Sequence, residues 1–315
     1  MPSANTSTVA AIVVTYNRLE KLKNVLASLE AQTRLPEHLV IVNNASTDDT
    51  AAYLAEYERD FTLKDKVRIT IVTLTENAGG AGGFSAGMRK GYELGADFVW
   101  IFDDDGYPQP AALAKLLEGY DNAVAGLGTD VPYVCSMVKF IDGSISEMNN
   151  PIPTWDWGRL QAMGYDNLVM VTSCSFVSVL IPRWVMEAFG LPYKEYFIWF
   201  DDAEYTLRIT QSCPGVEVTD SIVLHDMGMN QGVNYSMVND RNVWKSPTAP
   251  ATKAPIVCIT GMCGSTSTSV SWCTTPCAAA ASRSRCVARS TVSCSRPSRS
   301  IRRSISRSGL KPEPE

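Results

Sequence analysis

Asp103-Asp104-Asp105 places three carboxylates in succession, directly after the apolar run Phe98-Val99-Trp100-Ile101-Phe102. Adjacent anions repel one another, and a solvated turn closing with Gly106 does not by itself call for three of them. A hard divalent cation held by oxygen ligands, with a substrate phosphate completing its shell, gives them a reason to be together. A second acidic group, Asp201-Asp202-Ala203-Glu204, follows the aromatic-dense segment Tyr193 to Phe200. Asp201 and Glu204 also have the three-residue spacing of a helix capping box, which is the plainer use for them. Of the two histidines, His38 begins a predicted strand and reads as structural. His225 ends a later predicted strand, about twenty residues beyond the second acidic group.

These groups need elements to hold them. Phe98 to Phe102 reads as a strand buried on both faces, so the three carboxylates stand where it leaves the sheet. Ligands of open α/β sheets collect at the carboxyl ends of the strands. Val9 to Val14 predicts a buried first strand, followed by the loop Thr15-Tyr16-Asn17-Arg18. Leu19, Leu22, Val25, Leu26 and Leu29 then recur at helical spacing. His38 to Val42 predicts a second strand ending in Asn43-Asn44, and Ser46 or Thr47 can cap a helix opening with Asp48-Asp49. Val67 to Leu74 predicts a third strand, Asn77 to Gly83 a glycine-rich loop, and Phe84 to Leu94 a helix. Strand–helix units about every 30 residues mean a doubly wound, mostly parallel sheet.

Beyond it, Val134 to Ile141 and Leu168 to Leu180 predict further strands, the second as one long or two short ones. Pro182 suits the first turn of a short helix. A helix from Asp201 to about Gln211 and a strand or strand pair ending at His225 complete this smaller β region.

The first loop has no glycine, which excludes both a dinucleotide fingerprint and a Walker loop. Gly79, Gly80, Gly82 and Gly83 permit close backbone approach to a ligand, or simply a flexible loop. The Asn43 and Asn44 amides can pair with a nucleobase edge, or form a turn. Trp155, Trp157, Tyr193, Tyr196 and Trp199 can stack on sugar rings, or pack in the core.

Charge divides the chain. Residues 246–315 hold ten Lys/Arg against two acids, leaving 18 basic and 31 acidic residues in 1–245. So acidic a body argues against a nucleic-acid partner. It needs a cation before it can accept a phosphate-bearing ligand. No apolar run reaches the roughly 18–20 residues of a spanning helix. Met1 to Thr8 is polar and uncharged, unlike a secretory signal, so a cytoplasmic protein is expected. Cys135, Cys174 and Cys213 read as buried thiols of a reducing compartment.

Taken together, Val13-Val14-Thr15-Tyr16-Asn17-Arg18, Ile41-Val42-Asn43-Asn44-Ala45-Ser46-Thr47-Asp48 and the triple Asp after an aromatic strand resemble the family-2 glycosyltransferases of GT-A fold. Ala31 to Pro36, Glu76 to Phe84 and Asp103 to Gly106 are most similar to the galactofuranosyltransferases of bacterial cell-wall galactan. The likeness covers roughly residues 8–245. It implies a UDP-sugar donor, a divalent metal (Mn2+ or Mg2+), a lipid-linked glycan acceptor and peripheral contact with the inner membrane face. Thr15, Asn17, Arg18 and Asn43 would surround the nucleoside, although the family often has Asp at the Asn43 position. Asn77, Gly79 and Gly80 would lie along the donor's phosphates and sugar. Asp103, Asp105 and His225 would be the metal ligands, with Asp104 nearer the ribose or donor sugar. Asp202 would be the catalytic base, Asp201 the second choice. A dTDP-rhamnose-dependent rhamnosyltransferase shares most of these motifs, and an inactive sugar-nucleotide-binding module is the rival from outside enzymology.

Two halves of a GT-A domain are therefore expected within 1–245, about 8–128 for the nucleotide sugar and 129–245 for the acceptor. After Lys245 the composition shifts to 15 serines, six cysteines and a single aromatic, Trp272. That composition predicts a disordered basic tail over 246–315. A reading-frame change is the sharper explanation: Lys-Phe-Pro-Tyr-Gly-Thr-Arg-Asn, losing one T, can read Lys245-Ser246-Pro247-Thr248-Ala249-Pro250-Ala251-Thr252.

Overall fold

The computed structural model describes residues 3–232, so both expectations for 246–315 lie outside the described residues. The first strand, β1 (Val9–Thr15), is buried along its whole length. It alternates faces at the strand period of two: Val9, Ala11 and Val13 enter one hydrophobic cluster, Ile12 and Val14 the other. β2 (His38–Asn43), β3 (Arg68–Thr73) and β4 (Phe98–Asp103) join it as a parallel set in the order β3-β2-β1-β4. β4 repeats the division, with Phe98, Trp100 and Phe102 on one face and Val99 and Ile101 on the other. Continuous apolar runs are what two covered faces demand.

The helices α1 (Leu19–Glu30), α2 (Thr50–Asp60) and α4 (Ala112–Leu127) put apolar residues into the first cluster. On the opposite face lie α3 (Gly79–Glu93), α5 (Arg183–Phe189) and α6 (Asp201–Ile209). The doubly wound α/β architecture is as expected.

The second half of the sheet is mixed. β9 (Val179–Pro182) runs antiparallel to β4 and to β6 (Val134–Phe140), and β6 is parallel to β10 (Gly215–His225). β8 (Leu168–Ser173) and the two-residue β7 (Ile152–Pro153) complete that edge, while β5 (Gly106–Pro108) pairs antiparallel with β10. The Leu168–Leu180 run is thus two strands. The pairing of Gly106 with His225 carries the chain after the triple Asp directly to the end of β10.

Three local expectations need correction. The glycine-rich stretch is not a loop: Gly79 to Gly83 form the first turns of α3. Gly83, Gly87 and Gly91 recur every four residues and form a flat face against the sheet. A Cβ would come within 2.4 Å of Val14, 2.3 Å of Ile12 and 2.8 Å of Val99, respectively. The helix therefore lies closer to β1 and β4 than any side chain would allow. Next, α2 begins at Thr50, with Asp48 Oδ1 accepting from the Thr50 N–H at 3.1 Å, while Ser46 and Thr47 bond to Asn43 and Asn17. Finally, Asp201 and Glu204 form no capping box. Asp201 is already helical, the N-cap is Phe200 at φ 65°, and Glu204 pairs instead with Arg208 at 2.7 Å.

Candidate active site

Strand order reverses between β1 and β4, with β2 and β3 on one side and β9 on the other. The crevice at the carboxyl ends of such strands is where open α/β sheets bind ligands. Val14 pairs in register with Asp103, which puts Thr15 and the triple Asp together at that crevice.

The three carboxylates point to different partners. Asp104 is buried: its Oδ2 accepts from Thr15 Oγ1 at 2.8 Å and its Oδ1 from Arg18 Nη1 at 3.1 Å. Asp105, also buried, accepts from Arg18 Nη1 at 2.8 Å on Oδ2, with Lys21 Nζ at 3.5 Å. Its Oδ1 faces His225 Nε2 at 3.2 Å. Asp103 gains no hydrogen bond among the described residues. Burial, then the neighbouring Asp105 and Asp104 charges, push its carboxyl well above the usual range. Burial raises Asp104 as well, against Arg18. Asp105 is lowered despite burial by the facing His225, with Arg18 and Lys21 adding to it.

A divalent cation fits this group. One ligand atom from each of Asp103, Asp105 and His225 lies within 4.8 Å of the others. Two carboxylates and an imidazole suit Mn2+ or a similar divalent ion. Burial first, and the two neighbouring carboxylates next, raise the Asp103 carboxyl, and a cation would offset both.

The second acidic group opens α6. Asp201 is buried and pushed up to about 7 by burial and by Asp202. Its charge adds to the upward push on Asp103. Asp202 is half-buried, also raised by burial, and its Oδ1 accepts from the Ala203 N–H at 2.7 Å. Phe197, Trp199 and Phe200 just before it all have positive φ (60°, 67° and 65°), an uncommon backbone for aromatic residues. This segment rests on α3: Ala81 N–H donates to Phe197 O at 3.1 Å, and a Cβ on Gly79 would sit 1.9 Å from that oxygen.

The remaining candidates are spread around this centre. Asn17, at φ 53°, is exposed and spends its Oδ1 on the Thr47 N–H at 2.7 Å. Asn43 is buried, its Oδ1 accepting from the Ser46 N–H at 2.9 Å. Asn77 Oδ1 takes the Gly79 N–H at 2.9 Å and the Asn44 Nδ2 donor at 3.1 Å. Gly80 has open space around its Cβ direction. Trp155 is 94% exposed; Trp157 and Tyr193 are exposed, and Tyr196 and Trp199 half-buried.

Sequence reading missed Lys21, Asp226 and Asn149 in this neighbourhood and gave Asn44 a different use. Lys21 reaches Asp105 and the Asp226 carbonyl; its three-residue spacing from Arg18 on one helical face was the available signal. Asp226 accepts from Tyr107 Oη at 3.0 Å and donates its N–H to Asp105 O. Asn44 links the end of β2 to Ala78 and Gly79. Asn149 bonds to His225 Nδ1 at 2.7 Å from the end of a single 3-10 turn (Glu147–Asn149), in a segment where no sequence pattern marks it.

Residues 10–177 match the family model described as glycosyl transferase family 2. Galactofuranosyltransferase GlfT1 of Mycobacterium tuberculosis is 31% identical over 231 residues, 72% of this chain and 72% of that protein. Among solved structures, S. aureus TarS 1-349 in complex with UDP aligns at TM-score 0.53 and 15% identity, over 70% of this chain and 60% of that one. The mannosyltransferase PcManGT of Pyrobaculum calidifontis, in complex with GDP-Man and Mn2+, aligns at TM-score 0.50 and 20% identity, over 70% and 58%. At these identities the likeness is one of fold, and this chain spans less than two thirds of either solved chain.

Proposed function

We propose a reaction for this chain from one premise: the chain belongs to glycosyl transferase family 2. It is a glycosyltransferase, and we infer a metal-dependent, inverting one that moves a sugar from a UDP-sugar, most simply UDP-galactofuranose, onto a lipid-linked cell-wall glycan. The observation that carries this reading is the meeting of Asp103, Asp105 and His225 at the sheet's switch point, with Asp201 near enough for its charge to act on Asp103. Likeness to GlfT1 over most of both chains supports galactofuranose as the sugar.

Asp103, Asp105 and His225 would hold Mn2+ or Mg2+. When bound, the ion neutralises charge developing on the departing diphosphate. Arg18 and Lys21, already at Asp105, stand beside that diphosphate position. Asn44 and Asn77 fix the start of α3, whose N-terminal end favours anions. Thr15, Asn17 and Asn43 line the nucleoside side, and Gly79 and Gly80 the phosphate and sugar side. Asp202, more open than Asp201, takes the proton of the acceptor hydroxyl as its oxygen attacks the anomeric carbon. The bond from that carbon to the diphosphate oxygen breaks on the opposite face. Burial raises the Asp202 carboxyl, which makes its carboxylate a stronger base for that task.

No helix among the described residues is long and apolar enough to cross a membrane. Access to a lipid-linked acceptor is therefore proposed as peripheral contact at the inner face.

The test is donor choice. The full chain is incubated with a polyprenyl-linked glycan and either UDP-galactofuranose or dTDP-rhamnose, with Mn2+ or chelator. Metal-dependent transfer from UDP-galactofuranose is the expected result. Preference for dTDP-rhamnose would reassign the sugar. Nucleotide binding without transfer would leave only a binding module.

A further inference from the structure

We propose that Asn149 is a positioning residue that sets the tautomer of His225 and so aims its Nε2 lone pair at the cation; this rests on the metal reading above. Both side chains are buried, each 5% exposed. His225 Nδ1 lies 2.7 Å from Asn149 Oδ1. An amide oxygen can only accept, so the ring proton belongs on Nδ1 and the neutral imidazole carries its lone pair on Nε2. That nitrogen faces Asp105 Oδ1 at 3.2 Å, within the group that includes Asp103. In that tautomer Nε2 has no proton to give Asp105 Oδ1, so both atoms face the same space as electron-pair donors, the arrangement a cation would use.

The amide is itself held. Ser146 Oγ donates to the same Oδ1 at 2.7 Å, and Asn149 Nδ2 donates to Ser175 Oγ at 2.8 Å. Ser146 and Asn149 lie in the segment after β6, and Ser175 in the loop after β8, so two segments fix one imidazole. The opposite amide orientation would point Nδ2 at His225 Nδ1, place the ring proton on Nε2 and close that nitrogen to metal. The two orientations therefore give opposite tautomers, and only one leaves a ligand. Partners that donate or accept behind a metal-bound histidine commonly change affinity by about 10–100-fold when removed.

The experiment reads the tautomer directly. Long-range 1H–15N spectra of the 15N-labelled full chain are taken without metal at about pH 8.5, roughly two units above the pKa of free imidazole side chains. His38→Gln assigns the only other histidine. The expected result is the Nδ1–H form for His225, kept in Asn149→Asp and lost or mixed in Asn149→Ala. Mn2+ affinity, read by electron paramagnetic resonance, should fall about 10–100-fold in Asn149→Ala and stay within a few fold in Asn149→Asp. An Nε2–H tautomer in the unsubstituted chain overturns the proposal. So does Asn149→Ala with tautomer and Mn2+ affinity unchanged. Should Asn149→Ala fail to fold, the unsubstituted chain and Asn149→Asp still decide the tautomer. If the unsubstituted chain binds no Mn2+, the metal reading fails, whereas the tautomer spectra still judge Asn149.

Discussion

Thr15 Oγ1 donates to Asp104 Oδ2 at 2.8 Å, tying the end of β1 to the middle residue of the triple Asp at the end of β4. The bond turns Asp104 inward while Asp103 and Asp105 remain with His225, so the three carboxylates divide between structure and ligand. Thr15→Val keeps the shape of the side chain but removes the donor from a buried carboxylate. A loss of about 1–3 kcal/mol is expected in denaturant unfolding. Stability unchanged by that substitution would show that the bond holds nothing.

Asp202→Asn should preserve donor affinity and lower transfer by about 10²–10⁴, the contribution of a positioned base. Asp201→Asn should leave substantial transfer, because Asp201 is the more enclosed of the two. The reverse pattern would move the base by one residue.

Gly87→Ala should destabilise by about 1–3 kcal/mol. Its Cβ would stand 2.3 Å from Ile12 and 3.0 Å from Val42, both buried in the sheet, so α3 must lift. On the same helix, a Cβ at Gly80 meets nothing closer than 4.0 Å. Gly80→Ala should therefore be neutral or stabilise by up to about 1 kcal/mol through helix propensity. Thermal unfolding of the two variants side by side checks the contrast; equal shifts would mean the glycine face is not in close contact.

Glu217 lies on β10 between Cys135 of β6 and Val169 of β8, and burial pushes its carboxyl up to about 7. Between its ordinary 4.5 and about 7 the folded chain holds a proton that the unfolded chain has lost. Stability should therefore fall as pH rises through that window. Glu217→Gln should flatten this dependence and gain roughly 1–3 kcal/mol at pH 8. A variant with the unsubstituted pH profile would refute the assignment.

The parallel half was readable because its strands are apolar runs and its first helix repeats at 3.6 residues. The meeting of Asp103 and Asp105 with His225 was partly legible: three carboxylates after a buried strand have few uses, and the family resemblance pointed to His225. The glycine helix was misread because glycine is a poor helix former; contact with Val14, Ile12 and Val99 decides it, and that contact is tertiary. The α6 start was misread because left-handed Phe200 takes the cap position that local spacing gave to Asp201. Asn149 reaches His225 across 76 residues from a segment with no periodicity, so only the folded chain reveals it.

Calorimetric binding of UDP, with and without Mn2+, to the unsubstituted chain and to Asp105→Asn tests the central claim most directly. Asp105 is the proposed ligand that touches both His225 and the Arg18–Lys21 pair. The account predicts that Mn2+ tightens UDP binding to the unsubstituted chain and has little effect on Asp105→Asn, with both weak in chelator. Equal UDP affinity in all four cases, or Mn2+ enhancement that survives Asp105→Asn, would contradict it.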